Sequence, residues 1–179
     1  MANVLIRQAV SPDIDFLSRF EHCVKSEYVW QMNQSSMDGQ ISTSFFETRL
    51  PREMRLTYPR NPETLEDRWK NYSSVLVGCI DNAPVGYISL SAFMAQDMVW
   101  VKDLVVDEYW RRKGVGTALY FAARDWGLAR KSHRITLEFS SKNYPAICFA
   151  RKHGFEFTGF NDNYFNNNDI ALFFSRLLK

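Results

Sequence analysis

Cysteine is scarce in this chain: Cys23, Cys79 and Cys148 stand far apart, odd in number and with no CxxC pair. That pattern excludes a disulfide framework and a zinc knuckle, and it points to free thiols in a reducing compartment. Glycine and proline are few as well, eight and six in 179 residues, which excludes collagenous and low-complexity chains. Neither sign of charge dominates. The 22 Lys and Arg face 20 Asp and Glu, a net +2, so no overall field selects nucleic acid or an anionic membrane. No apolar run reaches the roughly 18 residues of a membrane span. The opening MANVLIRQAVSPDIDF meets Arg7, Asp13 and Asp15 too early for a secretory signal. The expectation is a cytoplasmic protein with no metal, no nucleic-acid partner and no membrane partner.

What the chain has in quantity is apolar and aromatic surface, 46% and 15% of its residues. A chain of this size buries roughly 70% of its extended surface and builds a core without staples. With no linker, repeat or composition break, residues 1–179 read as a single domain.

Asn3 to Val10 reads as a strand, and Ser11-Pro12-Asp13 as a helix start with Ser11 as N-cap, followed by Ile14, Leu17, Phe20 and Val24 at helical spacing. From Glu27 to Pro62 the pattern weakens, with one plausible strand at Ile41 to Leu50. A short helix should open at Asn61-Pro62-Glu63 and run through Trp69. Val75 to Ile80 and Val85 to Phe93 flank the turn Asp81-Asn82-Ala83-Pro84 and should form an antiparallel hairpin. A strand at Met98 to Val106 follows the break Ala95-Gln96-Asp97. Then come a helix with Val115, Leu119, Ala122, Ala123 and Trp126 on one face, a strand at Ile135 to Ser140, and a helix from Pro145 to His153 ended by Gly154. Phe155 to Phe160 and Ile170 to Leu178 read as closing strands. The pattern predicts an α+β fold, an antiparallel meander feeding a β-α-β-α-β-β tail.

The chemistry concentrates where Lys102-Asp103-Leu104-Val105-Val106 leads through a turn to Arg111-Arg112-Lys113-Gly114-Val115-Gly116-Thr117 at a helix start. Three cations, two glycines and a helix N-terminus suit a pyrophosphate. A Walker loop does not fit, because Lys113 precedes its glycine. A dinucleotide fingerprint does not fit either, because Leu119 stands where a third small residue belongs.

The pattern Arg-x-x-Gly-x-Gly after a Leu-x-Val strand, followed by Asn143-x-x-Ala146-x-x-Phe149-x-x-x-x-Gly154-Phe155, resembles the GCN5-related N-acetyltransferase (GNAT) superfamily. Within it, DLVVDEYWRRKGVGTAL, HGFEFTGF and DIALFF look most like the streptothricin acetyltransferase group. The resemblance implies a mixed, mostly antiparallel central sheet flanked by helices, with acetyl-CoA as acetyl donor. It implies pantetheine along Leu104, Val105 and Val106, pyrophosphate on Arg111 to Thr117, and cofactor contacts from Asn143 and Phe149. Asn143 also reads independently as an N-cap.

One departure bears on mechanism: the family's proton-donating Tyr is Ala150 here. Tyr144 and Tyr164 are the phenols that could approach the sulfur instead. Candidate bases for the amine proton are Asp103 and Glu138, and strand alternation puts Glu138 on the face away from Leu137 and Phe139, toward the open side. The resemblance implies a primary amine of a small molecule as acceptor, a streptothricin-like antibiotic among the candidates. Alternatives are a protein N-terminus or lysine, or a non-catalytic acyl-CoA sensor. Glu27, Tyr28, Trp30, Asp38, Glu47 and Tyr58 could line an acceptor site, and edge strands near the C-terminus leave room for a homodimer.

Overall fold

A computed structural model describes residues 3–93 and 97–179. Nine strands and four helices are assigned there: β1 (Leu5–Gln8), α1 (Ser11–Ser18), β2 (Val24–Met37), β3 (Gln40–Leu56), α2 (Leu65–Trp69), β4 (Ser74–Ile80), β5 (Ala83–Phe93), β6 (Met98–Val106), α3 (Val115–Leu128), β7 (Arg134–Ser140), α4 (Tyr144–Lys152), β8 (Glu156–Asn161) and β9 (Ala171–Leu177). Seven strands form one sheet in the order β1-β4-β5-β6-β7-β9-β8, and β2 and β3 form a separate ribbon. Within the large sheet only β6 and β7 run parallel. The expected α+β class and the β4–β5 hairpin are both present. Of the break expected at Ala95-Gln96-Asp97, Ala95 and Gln96 lie outside the described residues.

Period-2 burial explains the layering. Val99, Val101, Leu137 and Phe139 face α3 and α4, and together with Leu119, Tyr120, Ile147 and Phe174 they make the larger core. On the opposite face Val75, Val77, Tyr87 and Val105 pack with Ile14, Leu17 and Leu65 from α1 and α2. Gly86 leaves room for β6 and α3 together, since a Cβ there would stand 2.8 Å from the Val105 carbonyl oxygen and 3.2 and 3.3 Å from the Val115 and Leu119 side chains.

Two expectations are corrected. α1 starts behind Val10, whose N–H donates to the Asp13 carboxylate at 2.8 Å, and the Ser11 side chain makes no cap. The helix ends at Ser18, so Phe20 and Val24 lie beyond it, Val24 opening β2. The weakly patterned stretch is a long ribbon that turns at Gly39 (φ 83°). Both of its faces are exposed from Asn33 to Ser44, so no apolar alternation was selected there.

Candidate active site

The loop before α3 is built from main chain. Gly114 (φ 94°) and Arg112 (φ 63°) are both left-handed, a conformation that turns successive N–H groups toward one side. Backbone bonding stops at Arg111 N–H to Glu108 O (3.3 Å) and resumes at Ala118 N–H to Gly114 O (3.0 Å). Gly114, the N-cap, contributes no side-chain cap, so the N–H groups between are free for an anion at the positive end of the helix dipole.

Beside this loop the sheet splits. The β6–β7 ladder runs only from Met98↔Arg134 to Val101↔Leu137, although both strands continue, to Val106 and Ser140. A bulge at Lys102, where Ser89 pairs with Asp103 and Leu90 with Val101, starts the divergence. Two carbonyls on the freed edge of β6 are capped by side chains, Lys102 O by Arg60 Nη1 (2.6 Å) and Val106 O by Arg111 Nε (2.9 Å). Leu104, midway between them, directs its N–H and C=O to the same edge and keeps them unpaired. Val105 points its main chain the other way, toward β5, as does Asp107, whose N–H bonds Val85 O at 3.0 Å. A cavity of about 410 Å³ occupies the V, lined by Leu104 to Val106, Leu137 to Ser140, the α3 loop, and Asn143, Ala146, Cys148 and Phe149 of α4.

At the vertex the construction changes to side chains. Asp103 accepts from Tyr58 Oη and from Tyr72 Oη (3.0 Å), with Arg60 and Arg68 at 3.6 and 3.5 Å. Glu138 accepts from Arg60, from Lys102 Nζ (2.8 Å) and from Tyr164 Oη (3.2 Å). Both carboxylates are 0% exposed, whereas the three cations keep 20–23%. Burial, reinforced by Asp103, pushes the Tyr58 phenol well above its ordinary range and Tyr72 up to about 12. Burial likewise lowers His22, whose ring nitrogens meet Phe20 O (2.7 Å) and Tyr87 Oη (3.1 Å).

The structure brings Leu104, Val105, Val106, Arg111, Arg112, Gly114, Gly116, Thr117, Asn143, Phe149 and Glu138 to one cavity. Asn143 caps α4 by accepting from Ala146 N–H (3.1 Å), and Thr117 Oγ1 reaches His153 Nε2 (3.2 Å). Four expectations need correction. Lys113 turns from the cavity, its Nζ lying 3.6 Å from the Tyr109 ring centroid and 5.0 Å from that of Trp110, because cation–π contact holds it outside. Val115 is 1% exposed and packs in the core, so only its N–H faces the loop. Tyr144, at the first turn of α4, packs at a tilt against Tyr28 of the ribbon (ring centroids 5.0 Å apart) and does not line the cavity. Glu138 does lie opposite Leu137 and Phe139, but it is covered by Arg60 and Lys102 instead of open.

Arg111 is also bound differently from a free phosphate ligand, since its guanidinium donates to Cys23 O (2.9 Å) and Glu21 O. Of the residues suggested for the acceptor site, Tyr58 alone lines the cavity. Sequence reasoning missed Arg60, Arg68 and Tyr72. Pro59 and Pro62 bias Tyr58 and Asn61 to extended backbone, and nothing local marks Arg60 itself.

Parallel strands that part beside a helix-terminal anion loop define the class, a transferase using an acyl-CoA thioester. The family model of the acetyltransferase (GNAT) family matches residues 41–155, and the chain belongs to that family, an acetyl-CoA-dependent N-acetyltransferase. Among solved structures it is similar to a nourseothricin acetyltransferase (20% identity, TM-score 0.85, covering 98% of this chain and 99% of that one). It is also similar to a putative streptothricin acetyltransferase from Bacillus anthracis str. Ames in complex with acetyl coenzyme A (19%, 0.76, 99% of each). A third is Ard1 from Thermoplasma volcanium (21%, 0.72, 98% of each). At these identities the likeness is one of fold. No curated protein sequence matches the chain significantly.

Proposed function

We propose that the protein transfers the acetyl group of acetyl-CoA to the uncharged primary amine of a small molecule. The observation that carries this reading is Leu104, whose unpaired N–H and C=O face the V between two capped carbonyls: the C=O can accept from an amide of an extended arm, which leaves the N–H for the thioester oxygen. The free N–H groups between Arg111 and Ala118 would hold the pyrophosphate, with Asn143 and Phe149 on the opposite wall. Acetyl-CoA, when bound, supplies a thioester whose carbon the amine attacks with expulsion of thiolate.

Leu104 N–H, preorganised at the vertex end of the free edge, would take the charge developing on the carbonyl oxygen. Glu138, which lines the cavity, would accept the amine proton, and Asp103 behind it would hold Tyr58 and the Arg60 stretch in place. Glu138 already accepts three bonds, one on Oε1 and two on Oε2, so a lone pair of Oε1 remains for the proton. Ala150 is fully buried and supplies no acid for the thiolate, but a thiol of ordinary pKa, about 8.5, leaves without full protonation. Tyr58 to Arg60 lie across the acceptor end, which favours a small acceptor over a peptide. A streptothricin-like antibiotic is one candidate to test.

Melting with acetyl-CoA, CoA, ATP or NADPH added separately tests the cofactor part. Saturation a hundredfold above Kd adds about 2.7 kcal/mol, a rise of roughly 5–10 °C at this size. A rise with the two CoA species alone is expected. Equal rises with ATP would reassign the cleft.

A further inference from the structure

The vertex carries more positive charge than its carboxylates balance. Arg60, Arg68 and Lys102 face Asp103 and Glu138 there, three cations against two anions, and the phenols of Tyr58 and Tyr72 stay neutral. The other acid lining the cavity, Asp169, is already engaged by Lys142 and Ser140. Exposure is divided in the same sense: both carboxylates are wholly covered, and the guanidinium and ammonium groups keep the solvent-facing side. A ligand entering this end therefore meets Arg60 and Lys102 before it meets any carboxylate.

Both cations have donor capacity to spare. Among the described residues Lys102 Nζ makes one side-chain bond, to Glu138, with the Trp100 ring at 4.8 Å beside it. Arg60 uses Nη1 and Nη2 and leaves Nε. Burial works against the Arg60 charge, but Asp103 and Glu138 outweigh it and hold the guanidinium protonated. These cations are not placed for the cofactor's phosphates. Lys102 lies four residues along β6 from Val106 at the α3 loop, about 13 Å by strand rise.

We propose that the acceptor carries an anionic group, a carboxylate or a phosphate, beside its reactive amine, and that Arg60 and Lys102 bind that group. The inference rests on the acetyltransfer reading and narrows its substrate class. A polycationic acceptor would place like charge against the vertex, whereas a neutral amine tethered to an anion would be drawn in and held beside Leu104.

The test measures CoA thiol release at fixed ionic strength with 4-aminobutyrate, 2-aminoethyl phosphate, butylamine, 1,4-diaminobutane and a streptothricin. At least one anionic amine should exceed butylamine and diaminobutane in kcat/KM by about tenfold or more, and Lys102→Met should lower that ratio by about tenfold. The larger of the two anionic rates tells carboxylate from phosphate. Preference for diaminobutane or the streptothricin would overturn the proposal and leave acetyltransfer standing. If no acceptor releases thiol, melting of the CoA-saturated protein decides. A larger rise with an anionic amine than with diaminobutane supports the anion site, and an equal or smaller one overturns it. Failure of the CoA species themselves to raise the melting temperature would instead count against the acetyl-CoA reading.

Discussion

The two ends of the cavity solve their electrostatics differently. At α3 an anion would be met by backbone N–H groups between Arg111 and Ala118, with the nearby Arg111 spent on main-chain carbonyls and Lys113 on aromatic rings. At the vertex the charge is carried by side chains alone, five ionised groups locked together by Tyr58, Tyr72 and Tyr164. A site made of main chain depends on φ and on a helix terminus, so it tolerates side-chain change. A site made of buried charges depends on every partner being present.

The largest effect should therefore come from the vertex. Glu138→Leu leaves Arg60 and Lys102 facing each other without their shared carboxylate, and breaking a buried ion pair from one side costs about 3–5 kcal/mol. Urea denaturation should show a loss of at least about 2 kcal/mol after allowance for the 20% exposure of the cations. A change under about 0.5 kcal/mol would mean that the vertex is as tolerant as a surface ion pair, and the contrast between the two ends would collapse.

The next effect tests the other end through its backbone. Gly114→Ala puts a Cβ into open space, with nothing within 4 Å, but at φ 94°. Steric freedom and conformational strain are thus separated at one position. We expect a loss of about 1–2 kcal/mol and a raised KM for acetyl-CoA. Unchanged stability and KM would show that the left-handed glycine is not what shapes the loop.

A smaller and pH-dependent effect should come from His22, which lines the cavity and packs against Tyr58 of the vertex, ring centroids 5.1 Å apart. Its folded pKa lies below the ordinary 6.5, chiefly through burial, so the unfolded chain binds its proton first as pH falls. The neutral ring's contribution is present above about pH 6.5 and is lost below it, at up to about 1.4 kcal/mol per pH unit until the folded pKa is reached. His22→Gln should flatten this part of the stability profile below pH 6.5. His153, lowered by burial, Lys152 and Arg176, would leave a residual slope.

The difference between the ends also explains what could be read from sequence. The α3 loop, β4 to β7 and Asn143 were legible because they follow local rules: glycine where φ is positive, a cap before a helix, apolar alternation on a two-faced sheet. The vertex was not, because Arg60 meets Glu138 across 78 residues and Tyr58 meets Asp103 across 45, and no spacing records such a meeting. The ribbon failed for another reason. From Asn33 to Ser44 neither face is buried, so nothing in its sequence had to alternate. Lys113 and Tyr144 were misplaced by a third cause, an aromatic neighbour competing for the side chain: Tyr109 for one, Tyr28 for the other.

The smallest effect is the sharpest test of a backbone-built cofactor end. Arg112 lines the cavity yet sits at φ 63°, a conformation that costs an L-residue about 1–2 kcal/mol and a glycine little, although glycine surrenders about 0.5–1 kcal/mol in the unfolded chain. Arg112→Gly should therefore lie within about 1 kcal/mol of the parent in urea melts. If N–H groups alone hold the pyrophosphate, its KM for acetyl-CoA should rise less than that of Gly114→Ala. A rise of about tenfold or more would correspond to roughly 1.4 kcal/mol of lost binding, the size of a charge-assisted hydrogen bond. It would make the Arg112 guanidinium a phosphate ligand and the two ends of the cavity more alike than their geometry suggests.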